Sequence, residues 1–247
     1  MNNIPYYVLS ALAVLIILSV HEYAHGYVAY RLGDNTAKNF GRLTLNPIKH
    51  LDPVGALCMI FFHIGWAKPV PVNARNFKNP KKDFAKVAIA GPLSNIIMAF
   101  FSAFLYLLMF ALFRDKTFNE GDFTLKLLKN TLLFISLFHT INVGLGVFNL
   151  LPIPPFDGSR ILNVILPEKA YFAIMKHERK IYFGVLIWLL CGGAVASAIR
   201  MLPFVQASSL LYNLAGIFSL SDMLSAAIGF ISNLMMNFWQ LIPFLKI

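Results

Sequence analysis

Four stretches of this 247-residue chain, residues 4–20, 87–113, 131–156 and 181–199, carry no Asp, Glu, Lys or Arg. A bilayer span takes about 20 apolar residues, and the first stretch reaches that length by running on into the residues that follow it. Hydrocarbon offers the backbone no water to bond with, so such segments must satisfy their own amides as helices. Residues 201–245 carry no charge except Asp222 and hold one further span or two. The expected fold is therefore an all-α polytopic membrane protein with five to six transmembrane helices. Composition agrees: 58% of residues are hydrophobic and 13% charged, where soluble domains carry roughly a quarter charged residues. The first stretch does not read as a cleaved signal peptide, because "MNNIPYY" has no Lys or Arg and no small-residue cleavage site precedes His21.

The net charge of +10 is distributed by loop. Residues 31–86 hold ten of the 21 Lys and Arg, residues 114–130 hold four against three acids, and residues 157–180 hold five. By the positive-inside rule the first and third of these loops are cytoplasmic and the N-terminus lies outside. Integration in the cell membrane explains the charge, and no nucleic-acid partner is needed. Cys58 and Cys191 are far apart in apolar context and form neither a metal pair nor a disulfide framework. No repeat or appended soluble domain is visible, so residues 1–247 read as a single membrane domain.

The first helix is expected from about Ile4 to Leu32, stopped by Gly33. Beyond it the text changes: "FGRLTLNPIKHLDPVG" and "GWAKPVPVNARNF" are rich in Pro, Gly and Asn, with short β-like pieces. The apolar "ALCMIFFHIGW" between them is too short to span and reads as a re-entrant loop. The third stretch ends at "NLLPIPPFDG", where three prolines force the chain to unwind just before Asp157.

Near the inner end of the first helix stands "HEYAH". His21 and His25 are four residues apart and share a face, so both imidazoles can reach one Zn2+. Glu22, adjacent, is placed to take a proton from water at that metal. Packing is a poor alternative explanation, since an ionisable group at the middle of a spanning helix costs about 2.5–3.5 kcal/mol. A catalytic zinc site needs a third protein ligand. His25 lies six residues from Arg31, which puts the motif roughly 9–15 Å inside the cytoplasmic boundary at about 1.5 Å per residue. The third stretch runs inward and delivers Asp157 near the same depth. His139, eighteen residues earlier on that stretch, belongs toward the opposite face, so Asp157 is the better candidate. His50 reads as a loop histidine bonded to backbone, His63 and His177 have no partner at metal spacing, and Asp222 marks a helix end or turn.

Together, "HEYAH", "GWAKPVPVNARNFKNP", "AGPLSN" and "FNLLPIPPFDGSRI" resemble the site-2 protease family of intramembrane zinc metalloproteases, over roughly residues 15–165. The resemblance is to the minimal branch without PDZ or C-terminal regulatory domains. It implies a three-helix catalytic core within residues 1–165, followed by C-terminal helices in 166–247. It implies one Zn2+ held by His21, His25 and Asp157, with Glu22 as the base that activates water. It also implies that Asn149 takes part in catalysis by positioning the substrate or its oxyanion, and that Asn142 and Asn95 fall on recurring asparagine positions of possible use to the substrate. The partner expected is a transmembrane protein substrate, cut near the cytoplasmic side. Two rival readings use the same residues: a membrane metal-ion transporter, and a catalytically inactive scaffold. A transporter should spread polar residues across the bilayer, whereas here they gather near one face.

Overall fold

The structure is a computed structural model that describes residues 4–53, 67–119, 121–206, 208, 211, 213 and 219–246. Helix α1 (Ile4–Arg31) is 28 residues long and ends against Gly33, whose φ of +105° suits a residue without a side chain. Helix α2 (Pro80–Phe113) starts on a well-made cap. The Asn79 side chain accepts from Lys82 N–H, Pro80 takes the first turn, and Asp83 accepts back from Asn79 N–H. Helix α3 (Phe123–Asn149) is followed by α4 (Gly158–Ile165), α5 (Glu168–Lys176), α6 (Glu178–Arg200) and α7 (Leu220–Trp239).

Among the described residues, α1, α2 and α3 are each long and apolar enough to cross a membrane, and α6, bent by 47° near residue 190, makes a fourth if its two parts are one span. That falls short of the five to six expected. Polar residues explain part of the difference. Helix α7 carries Asp222, Asn233 and Asn237 along its 20 residues, which lowers its hydropathy below that of the first three. The third span also shifts relative to its expected bounds of 131–156. Helix α3 begins eight residues earlier, because Lys126 and Lys129 can extend their ammonium groups to water without breaking the helix. It stops at Asn149, before the prolines.

Helix α2 packs along both α1 and α3, and α1 also touches α3. Ala99 and Ala103 of α2, Val143 of α3 and Met235 of α7 form one buried cluster. There the Trp239 indole N–H donates to Phe100 O at 2.9 Å, tying α7 to α2. A second cluster of Ala29, Phe77 and Val87 closes the C-terminal end of α1 against α2 and the intervening loop.

That loop contains single helical turns at Thr36–Asn39 and Pro47–His50 and a 3-10 turn at Ala74–Asn76. No strand is present among the described residues; one antiparallel bridge pairs Leu51 with Ala67. The expected β-like re-entrant piece at 56–66, with Cys58 and His63, lies outside the described residues.

Candidate metal centre

The helical repeat stacks His21 and His25 on one face of α1, their ring centroids 4.6 Å apart. Facing them, α2 presents Val87, Gly91 and Asn95, again four residues apart. The helices run antiparallel, so His25 meets Val87 and His21 meets Asn95. His25 Nδ1 lies 2.7 Å from Val87 O, and His21 Nδ1 lies 3.3 Å from Asn95 Oδ1. A carbonyl oxygen only accepts, so these partners assign the proton to Nδ1 in both rings and leave Nε2 with a lone pair. Gly91 sits between the two contacts. A Cβ there would be 2.3 Å from His25 Nε2 and 2.6 Å from His21 Cε1, so only glycine lets the helices come this close.

The third member arrives by the broken chain after α3. Asp157 precedes the first turn of α4 but does not cap it with its side chain, which leaves the carboxylate free to turn toward the histidines. Gly158 makes this possible, since a Cβ there would lie 2.3 Å from Leu150 O and 2.5 Å from Leu151 O. Asp157 Oδ2 stands 3.3 Å from His21 Nε2 and 3.2 Å from His25 Nε2, and the two Nε2 atoms are 3.0 Å apart. Three lone-pair atoms thus converge, mostly out of water, and with Nδ1 protonated no hydrogen lies between them. Such a set is repulsive unless a cation sits among them. Two imidazoles and a carboxylate are the donor types zinc takes, so the residues fit a zinc ion. Among the described residues these three form the group of His, Cys, Asp and Glu close enough to hold a metal.

Glu22, half-buried beside His21, has its Oε2 2.8 Å from Val70 N–H and accepts from it. Asn149 is half-buried at the end of α3, while Asn95 and Asn142 are fully buried. Asn142 Nδ2 donates to Phe138 O at 2.8 Å. His139 is not in the metal group: its Nδ1 lies 2.9 Å from Ala99 O and 3.3 Å from Ser102 Oγ, between α2 and α3. His50 has the backbone role expected of it, its Nε2 lying 2.7 Å from Thr44 O. Asp222 sits in the first turn of α7, where its N–H meets Ser219 Oγ and its carboxylate pairs with Arg200 at 3.0 Å.

Sequence reasoning did not assign Val87, Gly91 or Asn95 to the histidines, nor Val70 to Glu22. The spacing 87, 91, 95 with a glycine at its centre was a readable signal for a close helix face. The Val70 contact carries no such periodic mark.

A sequence profile described as Peptidase family M50 matches residues 9–192. A relative named as a zinc metalloprotease, YwhC of Bacillus subtilis (strain 168), is 41% identical over 196 residues, covering 76% of this chain and 84% of its own. Zinc metalloprotease MJ0392 of Methanocaldococcus jannaschii is 29% identical over 68% of this chain and 38% of its own. Rip2 of Mycolicibacterium smegmatis, also named as a zinc metalloprotease, is 28% identical over 71% of this chain and 64% of its own. No solved structure matches the chain.

Proposed function

This chain belongs to peptidase family M50, the site-2 protease family, and is a membrane zinc metallopeptidase; on that premise we propose that it cuts a membrane-spanning protein near the cytoplasmic face. The observation that supports this reading is the convergence of His21, His25 and Asp157 ligand atoms within 4.8 Å beside helices apolar enough to cross a membrane, with Glu22 next to His21 in sequence. In this reading the N-terminus lies outside the cell membrane and the site faces the cytoplasm.

His21, His25 and Asp157 would hold one zinc ion per chain, which supplies Lewis acidity toward water and toward a peptide carbonyl. Glu22 takes a proton from the attacking water as its oxygen bonds the scissile carbon. The carbon–nitrogen bond then breaks, Glu22 gives the proton to the leaving amine, and a new carboxyl end and a new amino end result. Val87 O and Asn95 Oδ1 keep the imidazoles turned with Nε2 inward. Asn149, eight residues before Asp157, is proposed to position the substrate or its oxyanion. For Asn95 and Asn142 a direct substrate role requires α2 and α3 to part, since both side chains are enclosed.

The test is cleavage of a quenched fluorogenic single-span peptide by purified protein in detergent, with zinc measured per chain. Glu22→Gln should keep its zinc and lose at least about 100-fold in kcat, within the contribution expected of a positioned base. Asp157→Ala should lose both zinc and cleavage. Cleavage by Glu22→Gln at the wild-type rate would overturn the mechanism.

A further inference from the structure

The motif "AKPVPVN" is unexplained by the metal site, yet its backbone reaches Glu22. Residues 68–71 offer few donors, because Pro69 and Pro71 have no N–H and Lys68 N–H is bonded to His50 O at 2.9 Å. Val70 N–H is the one main-chain donor of these four residues left over, and it goes to Glu22 Oε2 at 2.8 Å.

Both ends of the segment are pinned. On one side the buried Arg42 guanidinium donates through Nη2 to Lys68 O at 2.6 Å and to Pro69 O at 3.4 Å, the two carbonyls just before Val70. On the other, Asp34 accepts from Asn73 N–H through Oδ2 and from Asn76 Nδ2 through Oδ1, each at 2.7 Å. Gly26, one turn after Glu22 on the same face of α1, lets the segment close down, since a Cβ there would lie 3.2 Å from Val70 Cγ1. A half-buried glutamate with free rotors would otherwise sample several positions. Here one of its oxygens is fixed and the other remains to take a proton.

We propose that this strap is a positioning device for the base, with Arg42 the residue that aims the Val70 N–H at Glu22. The proposal rests on Glu22 being the base. It commits Arg42 to acting on the proton-transfer step through Glu22, without touching substrate or metal. A merely structural Arg42 would instead lower the amount of folded, zinc-loaded protein and leave the rate per loaded chain alone.

The experiment uses the zinc-loaded full chain in detergent, with a quenched fluorogenic single-span peptide that the wild type cleaves. Arg42→Met should lower kcat about 10- to 100-fold, the scale of a misplaced catalytic group, with KM and zinc per chain unchanged. Arg42→Lys should recover part of the loss, because an ammonium still reaches one carbonyl. Val70→Pro, which deletes the N–H from a segment already rich in proline, should reproduce the Arg42→Met defect. In a Glu22→Gln background, Arg42→Met should cost nothing further, since groups acting as one unit are not additive. Losses that multiply in the double variant, or a fall in kcat matched by a fall in zinc content, would overturn the proposal. Wild-type cleavage by Glu22→Gln alone would instead remove the base reading on which it rests.

Discussion

Replacing Gly91 by alanine adds one methyl group where the His21 and His25 imidazoles, the proposed zinc ligands, meet α2. The added Cβ would stand 2.3 Å from His25 Nε2 and 2.6 Å from the nearest carbons of both rings, short of ordinary 3.4 Å contact by about 1.1 and 0.8 Å. Something must move by that much. If the rings swing, Nε2 leaves a position that a metal site tolerates to only about 0.2 Å. If the helices part instead, the 2.7 Å bond from His25 Nδ1 to Val87 O and the 3.3 Å contact of His21 with Asn95 both lengthen beyond bonding range. Either route damages the site by at least the 10- to 100-fold in affinity typical of losing a ligand's supporting contact, about 1.4–2.7 kcal/mol. The assay is competition for zinc between purified protein and a chelator, with size-exclusion and thermal melting to confirm that the variant is folded. Gly184→Ala is the matched control, because a Cβ at Gly184 meets nothing within 4 Å. A folded Gly91→Ala protein whose zinc affinity lies within twofold of wild type would refute the close-approach argument.

Asn95→Leu should weaken zinc binding about 10- to 100-fold by freeing the His21 ring, whereas Asn95→Asp, which can still accept from Nδ1, should retain it. The cobalt-substituted absorption spectrum should shift only in the leucine variant. Asp34→Ala should lower stability by roughly 1.5–3 kcal/mol, the scale of hydrogen bonds to a charged group, as read by thermal melting. Burial alone would raise the Asp34 carboxyl, but bonds from Thr36, Asn73 and Asn76 outweigh it and hold it below the ordinary aspartate range. The stabilisation is therefore full above the unfolded aspartate pKa of about 3.9 and is lost as pH falls through the lower folded value. The melting gap between wild type and Asp34→Asn should accordingly be widest near neutral pH and close in acid. Stripping the metal should lower the melting temperature of the wild type more than that of Asp157→Ala, since binding stabilises only the form that holds the ion.

What could be read from the sequence was what bilayer and metal chemistry make obligatory. Long charge-free runs had to be helices, which is why α1, α2 and α3 fall near their expected places. His21, His25 and Glu22 were legible because three ionisable groups in five residues are too costly in a membrane to be incidental. Asp157 was proposed from depth along the third stretch; its carboxylate stands 3.3 and 3.2 Å from the two imidazoles, delivered by the broken chain after α3 and not by a continuous helix. Rotation about the helix axis was harder to read. Which face of α2 meets α1 depends on packing along the whole pair, so Val87 and Gly91 carried no assigned partner and Asn95 was read toward the substrate, not toward His21. Residues 201–245 carry no charge but Asp222, yet Asn233 and Asn237 add further polar groups to α7, which is not among the helices apolar enough to cross a membrane in the described residues. The Val70–Glu22 bond joins residues 48 apart through an irregular backbone, and neither a period of 3.6 nor one of 2 marks it.

The proposed ligand set is also spread along the chain, so its members are made at different times. His25 leaves the ribosome 132 residues before Asp157, a delay of roughly 7–26 s at about 5–20 residues per second. Throughout that interval the nascent chain has His21, Glu22 and His25 but not Asp157. The three side chains can come together only once α3 has formed and the chain has turned at its prolines, so closure of the group is among the late events in the making of this fold.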